Sequence, residues 1–205
     1  MSVFRTPYPD YDVLDKWDTP SWNDATREVV RHRLEQVPKR RFLSEEQWSL
    51  LEAVARRLVP QDDRNDPIPI VPWIDDMLAA NRRPGYRYED MPPMRDAWRQ
   101  GLDAIEAESR KRHGKSFVAL SAADQDSLLH AIQFGEVEGD EWRSLPPKRF
   151  FKSLLLKQVV STYYAHPAAW SEIGFGGPAS PRGYVRLGFD ERDPWEAKEV
   201  ESADA

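Results

Sequence analysis

Apolar residues along this chain recur at intervals of three and four positions, the spacing that places side chains on one face of an α-helix. Leu51, Val54, Ala55 and Leu58 show this stripe clearly, and Pro60 ends it. Strand-like alternation of apolar and polar positions is scarce. The pattern predicts an all-α fold, a compact helical bundle.

Local signals predict where several of these helices begin and end. Ser44 and Gln47 have the spacing of a capping box, in which each side chain accepts a hydrogen bond from the other residue's backbone. Ser121 is expected to cap a later helix. Gly114 and Gly135 follow helical segments and are expected to end them, because glycine adopts the left-handed conformation at little cost.

Two further helices are predicted from apolar spacing. A first helix over 24–36 is expected to bury Val29, Val30 and Leu34 on one face. A last helix opens at Pro147 and is apolar over a wide arc, as expected at the centre of a bundle. An acidic cluster lies between the helices, and because it lacks a calcium-loop pattern we expect a solvated turn and helix start there: Asp62, Asp63, Asp66, Asp75 and Asp76.

The chain of 205 residues is long enough for one hydrophobic core and short for two. We predict an N-terminal arm with a peripheral helix over 1–40, a helical domain over 41–189, and an acidic, mobile tail over 190–205. Aromatic residues of the polar arm are expected either to wrap a partner or to pack on this domain: Phe4, Tyr8, Tyr11, Trp17 and Trp22.

Composition excludes several classes of function. The net charge of −6 gives no positive field for nucleic acid. Without cysteine, the chain has no disulfide, thiolate nucleophile or iron–sulfur ligand. No apolar run approaches the roughly 20 residues that cross a bilayer, so no direct membrane insertion is expected. The segment 1–20 lacks the apolar core of a signal peptide, which favours a cytoplasmic location.

The most informative segment is 163–184, here called the glycine-rich motif. Five of the ten glycines fall between Gly174 and Gly188, and large rings are interleaved with them. Because rings such as Trp170 and Tyr184 need something to pack against, we predict an irregular but shaped C-terminal loop region rather than a flexible linker.

Two chemical interpretations of the motif are weak. The spacing Gly174-x-Gly176-x-x-Ala179 matches a lenient dinucleotide fingerprint, but no strand precedes it, and Pro178 opposes a following helix. His166 has no second histidine at metal-ligand spacing and is expected to be a hydrogen-bonding residue at a helix end. The residues therefore predict no catalytic, cofactor-binding or metal-ligating set.

The motif resembles the C-terminal signature of the gluconate 2-dehydrogenase subunit 3 family in three stretches: Tyr163-Tyr164-x-His166-Pro167, Trp170-x-Glu172-Ile173-Gly174-Phe175-Gly176-Gly177-Pro178 and Pro181-Arg182-Gly183-Tyr184. Two stretches around the second predicted helix also resemble that family: Phe42-Leu43-Ser44-Glu45-Glu46 and Leu58-Val59-Pro60.

The resemblance implies a non-catalytic small subunit that binds a large FAD-dependent dehydrogenase of the glucose–methanol–choline type, acting on sugars or sugar acids. FAD is expected in the partner, and a cytochrome c subunit often accepts the electrons. Family members commonly carry a twin-arginine export signal, which leaves a periplasmic location open by analogy. Here Arg40-Arg41 precedes a charged helix instead of an apolar region.

Residues that the resemblance marks as contacting the partner or shaping the loop are His166, Trp170, Glu172, Gly174, Gly176, Gly177, Pro178, Pro181, Arg182, Gly183 and Tyr184. Glu172 and Arg182 are expected either to pair with each other or to reach the partner. Two other functions stay open. One is a transient maturation chaperone for the flavoprotein, and the other is a free-standing enzyme or small-molecule binding protein with a pocket around His166, Glu172 and Arg182.

Overall fold

The computed structural model describes residues 6–62, 64–83, 85, 88–178 and 191–200. Within these ranges the regular structure is helical and no strand occurs, so the all-α prediction is confirmed. The helices are α1 (Asp24–Glu35), α2 (Glu45–Leu58), α3 (Ile70–Ala79), α4 (Met94–His113), α5 (Ala122–Phe134), α6 (Pro147–Arg149), a π-helix (Phe150–Leu156), α7 (Lys157–Tyr163) and α8 (Pro167–Glu172). In the described ranges, none of them has the length and apolar character that crossing a bilayer requires.

The chain forms two compact units. The central unit is Pro38–Tyr163, and the terminal unit combines Met1–Val37 with Tyr164–Ala205. The division into 1–40, 41–189 and 190–205 stays a prediction. The structure adds that the arm and most of the glycine-rich motif share one unit, although they lie at opposite ends of the chain.

The helix ends in the central unit confirm the local signals. The Ser44 Oγ accepts from the Gln47 backbone at 3.1 Å, and the Gln47 side chain accepts from the Ser44 backbone at 3.3 Å. The Ser121 Oγ caps α5 by accepting from the Asp124 backbone at 3.2 Å. Gly114 and Gly135, at the ends of α4 and α5, have φ of 67° and 72°, a conformation that suits glycine.

The core of the central unit is built around α4, against which α2 and the π-helix pack. Trp98, Leu102 and Ile105 of α4 are buried almost completely. The ring of Phe150 lies directly on the α4 backbone at Gly101, where a Cβ atom would stand 2.2 Å from the Phe150 Cζ. Only glycine at position 101 leaves room for this ring.

The last helix of the central unit opens at Pro147 as predicted, but its middle is a π-helix instead of a regular α-helix. In a π-helix the backbone bonds run from i to i+5, so positions five apart share a face. Phe150 and Leu155 are separated by that interval and both are fully buried. The wider turn therefore directs both side chains into the core.

One expectation for the acidic cluster is wrong. Asp75 is fully buried rather than solvated. Its carboxylate accepts backbone hydrogen bonds from Arg41 at 2.6 Å, from Phe42 at 3.0 Å and from Leu43 at 2.8 Å. A carboxylate can be buried when such donors satisfy its lone pairs. Asp75 thus fixes the segment that leads into α2.

The face predicted for α1 is only partly correct. Val30 is fully buried, but Val29 and Leu34 remain 48% and 37% exposed. The buried face of α1 contains Thr26 and Val30, which are four positions apart. Apolar spacing alone therefore predicted the wrong neighbours for Val30 on the buried face of this short helix. Val29 and Leu34 were expected there, and Thr26 is found.

Candidate functional site

The terminal unit has an aromatic interior of its own. Trp22 and Trp170 are 2% and 3% exposed and cluster with Val13 and Val30. The Trp170 Nε1 donates to the Tyr164 carbonyl at 2.6 Å, which satisfies the buried indole. Trp170 is therefore a core residue of this unit and shapes the motif from inside.

The glycine-rich motif begins with a short helix, α8, which the sequence did not predict. Pro167 is its first residue, where the missing N–H has no cost. The His166 Nδ1 accepts from the Ala168 backbone at 3.3 Å and caps this helix. His166 thus has a hydrogen-bonding role at a helix end, at the start of α8 rather than at the end of the preceding helix.

Two glycines of the motif adopt conformations that other residues reach only with strain. Gly174 has φ of 66°, and a Cβ there would lie 2.7 Å from the Tyr8 ring. Gly177 has φ of 79° and lies between the indoles of Trp22 and Trp170, at 3.2 and 3.3 Å from a built Cβ. Glycine at these two positions leaves the space that the rings of Tyr8, Trp22 and Trp170 occupy.

The described arm packs on the motif within the terminal unit. The Thr6 hydroxyl donates to the Glu172 carbonyl at 2.6 Å, and the Val13 amide donates to the Ser171 hydroxyl at 3.0 Å. The Lys16 ammonium donates to the Gly176 carbonyl at 3.2 Å. The arm was expected either to wrap a partner or to pack on its own chain, and the structure has it packed on its own chain. Phe4 lies outside the described residues.

Two titratable groups lie in this packed region. Lys16 is 4% exposed, and burial lowers the pKa of its ammonium against the opposing influence of Glu196 and Asp193. Burial raises the pKa of Tyr11 to about 12, with Glu196 and Asp12 adding to it. Tyr11 is therefore a neutral phenol at physiological pH and is not poised as a base.

The two apolar side chains that flank Gly174 in the motif point outward. Ile173 and Phe175 are 42% and 47% exposed, on either side of Gly174. The Phe175 ring meets Trp170 edge-on, with centroids 5.8 Å apart. Sequence reasoning omitted both residues from the site, although two large apolar side chains around a glycine are visible in the sequence.

The structure accounts for part of the predicted site. It brings Trp170, Gly174, Gly176 and Gly177 together with the arm, and it leaves Pro178 exposed. The roles of four predicted residues stay predictions because they lie outside the described residues, namely Pro181, Arg182, Gly183 and Tyr184. The pair between Glu172 and Arg182 stays a prediction for the same reason. Sequence reasoning named Tyr8 and Trp22 as arm aromatics but did not place them, or Lys16, in the site, because their partners lie far away in the chain.

The buried carboxylates of the central unit serve its backbone. Glu108 is fully buried and accepts from the Arg112 side chain at 2.7 Å and from the backbones of Glu138 and Gly139 at 3.0 Å each. Asp75 has the comparable role described above. Among the described residues, no group of three or more histidines and carboxylates is placed to hold a metal ion.

Changing Gly174 to alanine is expected to loosen the arm. The new Cβ would meet the Tyr8 ring and would also require a strained φ, for a cost of about 2 kcal/mol in the terminal unit. Faster proteolysis within residues 6–22 would report the change. In a Tyr8→Ala background the same change should cost less, because the clash is absent and only the strained φ remains. Unchanged protection in Gly174→Ala would contradict the packing described.

A family model described as "Gluconate 2-dehydrogenase subunit 3" matches residues 45–177, well over half of the chain. The matched stretch begins with α2 and ends inside the glycine-rich motif, at Gly177. No curated protein and no solved structure matches the chain.

Proposed function

The chain belongs to the gluconate 2-dehydrogenase subunit 3 family, and from that membership we propose that it is a non-catalytic small subunit of a flavin-dependent dehydrogenase. The partner is a large FAD-dependent subunit of the glucose–methanol–choline type, which oxidises a CH–OH group of a sugar or sugar acid. A cytochrome c subunit is the proposed electron acceptor. The observation that carries the proposal is the family match over residues 45–177.

The terminal unit offers a surface for this partner. Ile173 and Phe175 are exposed apolar side chains on a loop that Gly174, Gly177 and Trp170 hold in one shape. A preformed loop loses little conformational entropy on binding, and a few large apolar anchors supply most of the affinity of an interface. We therefore place the centre of the interface at Ile173 and Phe175.

Two carboxylates of the terminal unit accept hydrogen bonds from residues close to this loop in the chain or packed on it. Asp12 accepts from the Ser171 hydroxyl at 3.3 Å, and Glu199 accepts from the Tyr8 hydroxyl at 2.9 Å. The chain as a whole carries a net charge of −6. A partner surface rich in arginine and lysine would complement these carboxylates. The rate of association should therefore fall as ionic strength rises.

Binding would stabilise the flavoprotein through linkage, without any catalytic group from this chain. A ligand that binds only the folded state at a hundred times its Kd adds about 2.7 kcal/mol of stability. The proposed location is the cytoplasm, with the periplasm as the alternative by family analogy. Fractionation of cells that produce the complex distinguishes the two compartments.

We expect Phe175→Ala to weaken binding of the large flavoprotein at least about tenfold, because it removes the larger of the two apolar anchors that flank Gly174. The matched control is Phe134→Ala on α5, since Phe134 is 48% exposed and Phe175 is 47% exposed. The tagged chain is co-expressed with the flavoprotein of its own genome, and size-exclusion chromatography records flavin absorbance and dye-linked sugar oxidation on the peak.

Four outcomes are informative. A yellow, active complex that survives Phe134→Ala but not Phe175→Ala supports both the function and its surface. Equal losses in the two variants would reject the surface but not the function. Elution of the chain alone beside a flavoprotein that matured only in its presence indicates the transient chaperone, and a flavoprotein equally active without the chain contradicts the accessory role.

A further inference from the structure

The central unit contains a cavity of about 880 Å³ that the proposed function does not use. It lies between the end of α3, the start of α4 and the last helices of the unit. Small-molecule sites in proteins usually have volumes of about 300–1,000 Å³ and mostly apolar walls with a few polar groups. The volume therefore suits a molecule of moderate size.

The wall of the cavity is apolar and adaptable. Three of the four methionines of the chain line it, namely Met77, Met91 and Met94, together with Trp98 and Leu154. Methionine is unbranched and polarizable, so thioether walls adjust to ligands of different shape and contact aromatic rings favourably. The wall fits a flexible chain or a flat ring.

The charged groups around the cavity are cationic. Arg82, Arg83 and Lys157 line it, and no carboxylate is among its described lining residues, although the chain is acidic overall. Arg82 is paired with Asp76, which also binds Arg41. Arg83 is exposed and forms no ion pair with any residue that the structure describes. The charge pattern favours an anionic ligand.

The π-helix supplies one side of this wall through Ser153 and Leu154. π-Helical turns are rare and often occur at functional sites, because their irregular turn re-aims side chains. Here Phe150 and Leu155 face the core, while Ser153 and Leu154 face the cavity. The backbone irregularity and the cavity thus coincide.

We propose that this cavity binds an amphipathic anion. Its apolar body lies against the methionines, Trp98 and Leu154, and its carboxylate or phosphate head group lies against Arg83. Binding at this cavity does not require the proposed dehydrogenase partner.

The test uses the full chain labelled with ¹³C at the methionine methyl groups, with each signal assigned by a Met→Leu substitution. On titration with dodecanoate below its micelle concentration, the signals of Met77, Met91 and Met94 should shift together and saturate. Dodecyltrimethylammonium and dodecanol carry the same apolar body and should bind at least about tenfold more weakly, since they lack the negative charge that Arg83 attracts. Dodecyl phosphate identifies the preferred head group.

Charge reversal at Arg83 provides the second measurement. Arg83→Glu should weaken dodecanoate binding about tenfold or more. Arg143→Glu is the matched control, because Arg143 is an exposed arginine of the same unit that does not line the cavity, and it should leave binding unchanged. Both variants leave the core intact, so loss of folding does not confuse the comparison.

Equal affinity for the anionic, neutral and cationic chains would overturn the proposal. So would the absence of any methionine shift in the folded protein. If the three signals shift only when the large flavoprotein is added, and dodecanoate has no effect, the cavity is a protein-docking groove and the proposal is wrong.

Discussion

Replacing Gly101 with alanine is expected to destabilise the protein by about 3 kcal/mol, although alanine is the better helix former by roughly 1 kcal/mol. The new Cβ would stand 2.2 and 2.3 Å from the Cζ and Cε2 atoms of Phe150. That ring is fully buried and packs at 6.1 Å from both Trp98 and Trp142, so it cannot rotate away without disturbing two indoles. The sign of the effect is therefore opposite to helix propensity.

Urea unfolding followed by far-UV circular dichroism measures the effect. A cost of about 3 kcal/mol lowers the melting temperature by roughly 6–12 °C in a protein of this size. Shortening the ring with Phe150→Leu should make the second change, Gly101→Ala, much less costly than it is alone. A Gly101→Ala protein as stable as the parent would refute the packing of Phe150 on α4.

The second large effect is expected for Asp75→Ala, at about 4 kcal/mol. Removing the carboxylate leaves the backbone N–H groups of Arg41, Phe42 and Leu43 buried or half-buried without their acceptor. It also opens a cavity behind the start of α2. Asp75→Asn keeps the shape and one oxygen, so it should cost less than the alanine.

The neighbouring residue gives a matched control. Asp76 lies near the surface and pairs with Arg41 and Arg82. Both arginines lower the pKa of its carboxyl, and the hydrogen bond from Arg82 is the largest cause. Such pairs contribute at most about 1 kcal/mol because water screens them. Thermal and urea unfolding of Asp75→Ala and Asp76→Ala should therefore differ several-fold in cost, and equal costs would contradict the anchoring role of Asp75.

Sequence could predict the helix ends because their causes are local. Ser44 with Gln47, Ser121, Gly114 and Gly135 act within one turn of the chain, and the structure has each as expected. The same logic predicted a helix opening at Pro147. Capping and glycine chemistry do not depend on what the rest of the chain does.

The features that escaped prediction depend on distant partners. Asp75 is buried because segment 41–43, more than thirty positions earlier, supplies three donors. The π-helix begins at Phe150, whose ring packs on Gly101, a pairing that no local rule contains. Propensity and periodicity describe neighbours along the chain, and these contacts are between residues far apart in it.

In the candidate site, too, local features could be predicted from the sequence and contacts between distant residues could not. The glycine-rich motif was recognisable from its own residues, and the family match confirms the resemblance. The shape of the motif could not be predicted, because the Tyr8 ring packs on Gly174 and the Trp22 indole packs on Gly177. For that reason Trp170 could be predicted as a site residue, while its buried role beside Trp22 could not.

The arm and the motif that it packs against leave the ribosome at very different times. Thr6 and the Glu172 carbonyl that it binds are 166 positions apart. Chains are made from the N-terminus at about 5–20 residues per second, so the arm waits many seconds for its partner while the central helices can already fold. The surface proposed at Ile173 and Phe175 consequently takes shape only after residue 175 has been made. A chain terminated before that point would lack the surface proposed to bind the flavoprotein.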